Sequence, residues 1–149
     1  MQPQRMVDTL VQYQATQHDV CCPAQILVID RSNGPAQLLM DTFGRLLGEE
    51  IAVTEITDYP SALPLLDYSC YDLVVIGLGE KQAVSPTFLT YLRNRQPELP
   101  ILLIGAGMTQ QYMDFIEVNG VSEAINLPHR AHEVKLAMEH IAVQYLHFA

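Results

Sequence analysis

The sequence is poor in positive charge and contains no long apolar run. Eight lysines and arginines stand against 17 aspartates and glutamates, which gives a net charge of −9. Such a field repels a phosphate backbone, so we expect no direct nucleic-acid binding by this segment. The longest apolar runs, such as residues 101–104, are far too short to cross a bilayer, and we expect no membrane association.

Cysteine is also scarce, and its spacing does not indicate metal or redox chemistry. Cys21, Cys22 and Cys70 form neither a CxxC pair nor an even set, so we expect reduced thiols. The N-terminus has no basic start followed by an apolar stretch. The sequence therefore predicts no secretion signal and a cytoplasmic location. No metal site and no cofactor are predicted.

What the 149-residue sequence does contain, after a polar extension at 1–24, is a regular alternation of apolar runs and helical patterns. Segments with the apolar spacing of helices separate the runs, and several of these segments open on Pro, Ser or Thr. This alternation predicts one α/β domain at 25–146, with a five-stranded, doubly wound parallel sheet of the flavodoxin-like (receiver or CheY-like) class. The runs that predict buried strands are 26–29, 52–56, 73–76, 101–104 and 124–126.

The carboxyl ends of the predicted strands carry few reactive side chains. In a sheet of this class, functional residues gather at those ends, where the strand order reverses. Only Asp30 supplies a carboxylate there, and no nucleophile accompanies it, so we expect no enzymatic activity. The residues at these ends are Asp30, Arg31, Gly77, Gly105, Ala106 and Leu127.

The pattern resembles the receiver domain of two-component response regulators over residues 25–146. The resemblance implies acidic residues after the first strand that hold Mg²⁺, and an aspartate at the end of the third strand that accepts the phosphoryl group. It also implies a Ser or Thr after the fourth strand and a Lys after the fifth. The segments that carry it are ILVID at 26–30, YDLVVIG at 71–77, LPILLIGA at 99–106, NGV at 119–121 and NLP at 126–128.

Position by position, this chain keeps one of those groups. Asp30 retains one acid, but the next residue is Arg31. Gly77 stands at the nucleophile position, Gly105 at the hydroxyl position and Leu127 at the lysine position. Mg²⁺ needs several oxygen ligands in octahedral geometry, which these residues do not supply. We therefore expect a receiver that cannot be phosphorylated, with the Arg31 guanidinium paired to Asp30 in place of the metal.

A narrower resemblance concerns Gly77, Glu80 and the run at 99–105. These are similar to the N-terminal domain of the flagellar master activators, the FleQ/FlrA family of σ54-dependent enhancer-binding proteins. The resemblance implies a regulatory module of a transcription activator for flagellar genes, which forms a homodimer and contacts an adjoining AAA+ ATPase domain or a regulatory partner protein. Residues 147–149 would open the linker. Glu80 would lie at the rim of the vacated pocket, as a mimic of phosphoryl charge or as a surface carboxylate.

The last helix, predicted at 130–146, carries more apolar residues than one core-facing stripe needs. Either a partner surface or a wide core stripe with a fraying end explains the surplus. In receivers the fourth helix, fifth strand and fifth helix commonly form the dimer face. The candidate interface residues are Tyr112, Met113, Ile116, Met138, Ile141 and Tyr145.

Two alternatives belong to other functional classes. A ligand-sensing pseudo-receiver would hold a small molecule in the pocket vacated at Gly77, Gly105 and Leu127. A flavodoxin-type redox protein would bind a flavin and would be coloured when purified.

Overall fold

The computed structural model describes residues 23–78, 84–127 and 131–147. Glu80, most of the predicted extension at 1–24 and residues 148–149 lie outside the described residues. The strands are β1 Ala24–Ile29, β2 Ile51–Ile56, β3 Leu73–Gly77, β4 Ile101–Gly105 and β5 Glu123–Asn126. The helices are α1 Pro35–Leu47, α2 Tyr59–Tyr68, α3 Pro86–Arg95, α4 Gln110–Val118 and α5 Ala131–Tyr145, and a 3-10 turn at Gly48–Glu50 joins α1 to β2.

The five strands form one parallel sheet in the order β2-β1-β3-β4-β5. This is the flavodoxin-like order, in which the winding reverses between β1 and β3. The register pairs Ile29 with Ile76, and Gly77 with Ile104, so the carboxyl ends of β1, β3 and β4 meet at one edge. The predicted fold class is confirmed.

Side-chain caps fix where three helices begin. The Ser85 and Thr109 hydroxyls cap α3 and α4, as the sequence predicts. The Asp58 carboxylate accepts a hydrogen bond of 2.8 Å from the Ser61 N–H, and α2 therefore begins at Tyr59. Each cap supplies an acceptor to an N–H group that the helix itself leaves unpaired.

Alternate residues of the strands supply two cores, one on each face of the sheet. Helices α1 and α5 cover the face to which Val28 and Val75 point, and Ile141 of α5 is fully buried there. Helices α2, α3 and α4 cover the other face, where Leu27 and Ile76 lie. None of the helices that the structure describes is long and apolar enough to cross a bilayer.

Three of the candidate interface residues lie in these cores. Ile116 is 4% exposed, Met138 7% and Ile141 0%, so their side chains stabilise the fold and present no surface to a partner. Helical spacing alone does not tell the core-facing residues of α4 and α5 from the solvent-facing ones, because apolar residues occur on both sides of each helix. Tyr112 and Met113 are half-buried against the core of the α2–α4 face, and Tyr145 is half-buried on the other. The exposed large apolar side chains of α4 and α5 are Phe115, Val118, Leu136 and Val143.

Candidate functional site

The carboxyl ends of β1 and β3 lie side by side where the winding of the sheet reverses. Asp30 follows the last residue of β1, and its backbone N–H donates a hydrogen bond of 3.0 Å to the Ile56 carbonyl of β2. Gly77 ends β3 one step beyond the Ile29–Ile76 pair. The sheet therefore brings together two of the residues that the sequence singled out.

The Asp30 side chain turns inward and caps the following helix. It is 4% exposed. Its Oδ1 accepts a hydrogen bond of 2.8 Å from the Arg31 N–H, and its Oδ2 accepts from the N–H groups of Ala36 (2.8 Å) and Gln37 (3.1 Å). The residue at the cap position itself, Gly34, has no side chain to do this. The positive end of the α1 dipole and three N–H donors thus stabilise a buried negative charge.

Two glycines make room for that carboxylate. A Cβ atom at Gly77 would overlap the Asp30 carboxyl group, and so would a Cβ atom at Gly34. Displacing the carboxylate would break its hydrogen bonds to the start of α1. Asp30 therefore occupies the space into which a side chain at position 77 would extend.

The predicted ion pair between Arg31 and Asp30 does not form. Arg31 is exposed, and among the described residues no ion pair or hydrogen bond joins its guanidinium to the Asp30 carboxylate. The reason is that backbone N–H groups already take both carboxylate oxygens inside the fold. The sequence placed the two residues correctly but gave no sign that Asp30 points away from solvent.

A methionine covers the strand end at Gly105. A Cβ atom there would lie 3.2 Å from the Met108 sulfur and 3.3 Å from the Leu78 Cβ. The Asn126 side chain holds this loop: its Oδ1 accepts from the Met108 N–H at 2.8 Å, and its Nδ2 donates to the Met108 carbonyl at 3.0 Å. Sequence reasoning assigned Asn126 no role, although asparagine side chains commonly hydrogen-bond to nearby loop backbone.

Leu127 stands at the position that the resemblance assigns to a lysine. Its N–H donates to the Gly105 carbonyl, and its side chain packs against the core of the α1–α5 face. Of the five positions that the resemblance singles out, only Asp30 offers Mg²⁺ a carboxylate, and its oxygens already accept three hydrogen bonds. These residues do not fit the metal that the resemblance implies, because a hard cation needs several available oxygens.

A cleft of about 360 Å³ opens beside this edge, between the loop at 57–60 and the ends of β1 and β3. Of the pocket predicted at Gly77, Gly105 and Leu127, only Gly77 lines it. Tyr59 forms one wall, and burial raises the pKa of its hydroxyl above the usual value. No group of three His, Cys, Asp or Glu residues within the described ranges could hold a metal ion.

Comparisons with known proteins bear on the fold. No protein-family model matches the sequence, and a search of curated proteins finds no match. The receiver domain of the Francisella response regulator 1452 is similar, with 19% identity and a TM-score of 0.64 over 85% of this chain and 99% of that one.

Two further solved structures are similar at comparable levels. The phosphorylated cyanobacterial phytochrome response regulator RcpA has 12% identity and a TM-score of 0.67, over 85% of this chain and 96% of that one. An adenylate cyclase structure from Rhodopirellula baltica has 19% identity and a TM-score of 0.58, over 83% of this chain and 90% of that one. Identities this low speak for the fold alone. The structural similarities, together with the strand order and the alternating helices, show that this chain has the receiver fold of response regulators.

Proposed function

We propose that this chain is a receiver-like regulatory module that works without phosphorylation. The observation that carries the proposal is the position of the Asp30 carboxylate, which caps α1 and fills the space beside Gly77. An acyl phosphate needs a carboxylate nucleophile, and the strand end at position 77 has none. The positions for the hydroxyl and the lysine are glycine and leucine, so the remaining parts of the phosphoryl site are missing as well.

The proposed output is protein–protein contact within a transcription activator. The resemblance to flagellar σ54-dependent activators supports an adjoining AAA+ ATPase as the domain that the module regulates, through homodimerisation, docking on the ATPase or a regulatory partner. The exposed Phe115 and Val118 of α4, at 60% and 85%, supply apolar surface for such contacts. Without a covalent switch, any on and off states must differ in how well a partner binds each of them.

A phosphoryl mimic tests the loss of the switch. Purified protein is incubated with Mg²⁺ and beryllofluoride, and its melting temperature and elution volume are measured, with a phosphorylatable receiver as positive control. We expect no change in either quantity, for the wild type or for Gly77→Asp. A clear shift of the wild-type melting temperature would overturn the proposal.

A second experiment tests the apolar surface of α4. Sedimentation of the wild type should show a concentration-dependent dimer that Phe115→Asp weakens. The matched control is Leu46→Asp, because Leu46 is 67% exposed on α1 and lies on the opposite face of the sheet. A wild type that remains monomeric at all soluble concentrations, or equal loss of dimer in both variants, contradicts this part of the proposal.

A further inference from the structure

The cleft beside the strand ends has the position and size of a small-molecule site. It lies where the winding of the sheet reverses, which is where open α/β sheets bind ligands. Its volume of about 360 Å³ is at the lower end for ligand pockets and fits a molecule of amino-acid size. The cleft shares Asp30, Arg31 and Gly77 with the degenerate phosphoryl site and extends from them along the loop at 57–60.

The wall of the cleft is apolar and held in place. Tyr59, Pro60 and Leu78 line it together with Ile29 at the end of β1. The Tyr59 ring packs against Phe88 of α3, with 4.6 Å between the ring centroids, so its orientation is set by the core. A ligand side chain would therefore meet a preformed surface and would not have to order it.

Two opposite charges line the same cleft. Arg31 is exposed, and its guanidinium has no hydrogen-bond or ion-pair partner among the residues that the structure describes. Asp58 is exposed on the neighbouring loop, where its carboxylate accepts from the Ser61 side chain and, through Oδ1, from the Ser61 N–H. That hydrogen bonding holds the pKa of the Asp58 carboxyl below its usual value, so the group is ionised at neutral pH. Asp30 does not compete for a cation, because three N–H groups already surround it.

We propose that this cleft binds a free α-amino acid with an apolar side chain. The Arg31 guanidinium receives the α-carboxylate, the Asp58 carboxylate receives the α-ammonium group, and the side chain packs against Tyr59 and Leu78. A guanidinium matches a carboxylate with two parallel hydrogen bonds, while a carboxylate accepts well from an ammonium group. A ligand for this site must carry a carboxylate, an ammonium group and an apolar side chain on one small molecule. That combination defines the ligand class. It does not depend on the loss of phosphorylation.

The ligand class can be tested by NMR titration of the ¹⁵N-labelled protein. L-phenylalanine and L-leucine are the probes, 3-phenylpropanoate lacks the ammonium group and 2-phenylethylamine lacks the carboxylate. We expect saturable shifts of the Thr57, Asp58 and Leu78 amide signals with at least one amino acid, and binding weaker by about tenfold or more for the truncated ligands. Absence of saturable shifts with both amino acids would overturn the proposal, as would equal affinity for 3-phenylpropanoate.

Variants then test the two charged residues. Arg31→Gln and Asp58→Asn should each weaken binding by about tenfold or more, and Asn keeps the ability to cap α2. Arg45→Gln is the control, because Arg45 is exposed on α1 and does not line the cleft. Melting temperatures confirm that each variant is folded. Unchanged affinity in Arg31→Gln contradicts the assignment of the carboxylate site.

Discussion

The carboxylate of Asp30 lies in the space that a Cβ atom on Gly77 would occupy. At the position where the resemblance to receivers implies a metal ligand, Asp30 serves as a helix cap. Its hydrogen bonds join the end of β1 to the start of α1, and the absence of a side chain at position 77 permits them. The helix cap by Asp30 therefore depends on the absence of a side chain, and hence of a nucleophile, at position 77.

Gly77→Ala should destabilise the protein by about 1–3 kcal/mol, because the new methyl group must displace a buried carboxylate or the backbone around it. Urea unfolding measures the change. Gly44→Ala is the control: a Cβ atom at Gly44 in α1 meets nothing within 4 Å, so that variant should gain about 0.5–1 kcal/mol from helix propensity. Equal stability of Gly77→Ala and wild type would show that Asp30 can leave its place at no cost.

Arg93→Lys should lower the free energy of unfolding by about 2 kcal/mol, although it keeps the charge. The Arg93 guanidinium donates to the Gly120 carbonyl at 2.9 Å and to the Leu99 carbonyl at 2.6 Å, with longer bonds to two further carbonyls of the turn. A single ammonium group cannot span these acceptors. In the control Arg95→Met, loss of the exposed ion pair to Asp67 should cost less than about 1 kcal/mol. Similar losses of unfolding free energy in both variants would contradict the bridging role.

Glu55 should make stability fall as the pH rises through neutrality. A hydrogen bond to the Asp41 carboxyl, burial and the charge of Asp41 together raise the pKa of Glu55 to about 7. The folded state therefore binds this proton more tightly than the unfolded chain does. The resulting stabilisation is complete below the ordinary pKa of 4.5 and is lost as the pH rises through about 7.

The test compares the wild type with Glu55→Gln in urea at about pH 6 and pH 8. The wild type should lose up to about 1 kcal/mol relative to the variant, a small value because solvent screens the exposed pair. Glu98→Gln is the control, since Glu98 is exposed on the α3–β4 loop. A pH dependence that is the same in all three proteins would exclude the Asp41–Glu55 interaction as its source.

Tyr145→Phe should loosen the end of α5 at a cost of about 1 kcal/mol. The Tyr145 hydroxyl donates to Glu123 Oε1, which His140 Nε2 also contacts at 2.8 Å. Because His140 remains as a partner, the carboxylate is not left alone and the cost stays modest. Hydrogen exchange should become faster for the last turn of α5 and remain unchanged in Tyr68→Phe, whose side chain is 89% exposed. Unchanged exchange in Tyr145→Phe would show that this bond does not hold the helix.

The fold was predictable because its signals are local. Apolar runs near 26–29 and 101–104 indicate strands buried on both faces, and Ser85 and Thr109 mark helix starts by a capping chemistry that acts over a few residues. Alternation of these elements leaves few topologies, and the observed sheet order is the one that the resemblance implies.

The sequence predicts which residues meet at the strand ends, but it does not predict how their side chains are oriented. The sequence places Asp30 and Gly77 at neighbouring strand ends, but the inward turn of Asp30 depends on glycines that tertiary structure brings around it. The same limit applies to the helices. The sequence does not distinguish Ile141, which is buried, from Val143, which is 59% exposed, because both belong to one broad apolar pattern.

The space that Gly34 and Gly77 leave for the Asp30 carboxylate also limits which substitutions position 77 accepts. An acidic residue cannot be introduced at position 77 without collision unless Asp30 first leaves its cap, and Asp30 cannot leave without exposing the start of α1. Each single substitution toward a phosphate acceptor therefore lowers stability before any chemistry is gained. A phosphate acceptor at position 77 would therefore require at least one further change that gives the start of α1 another cap.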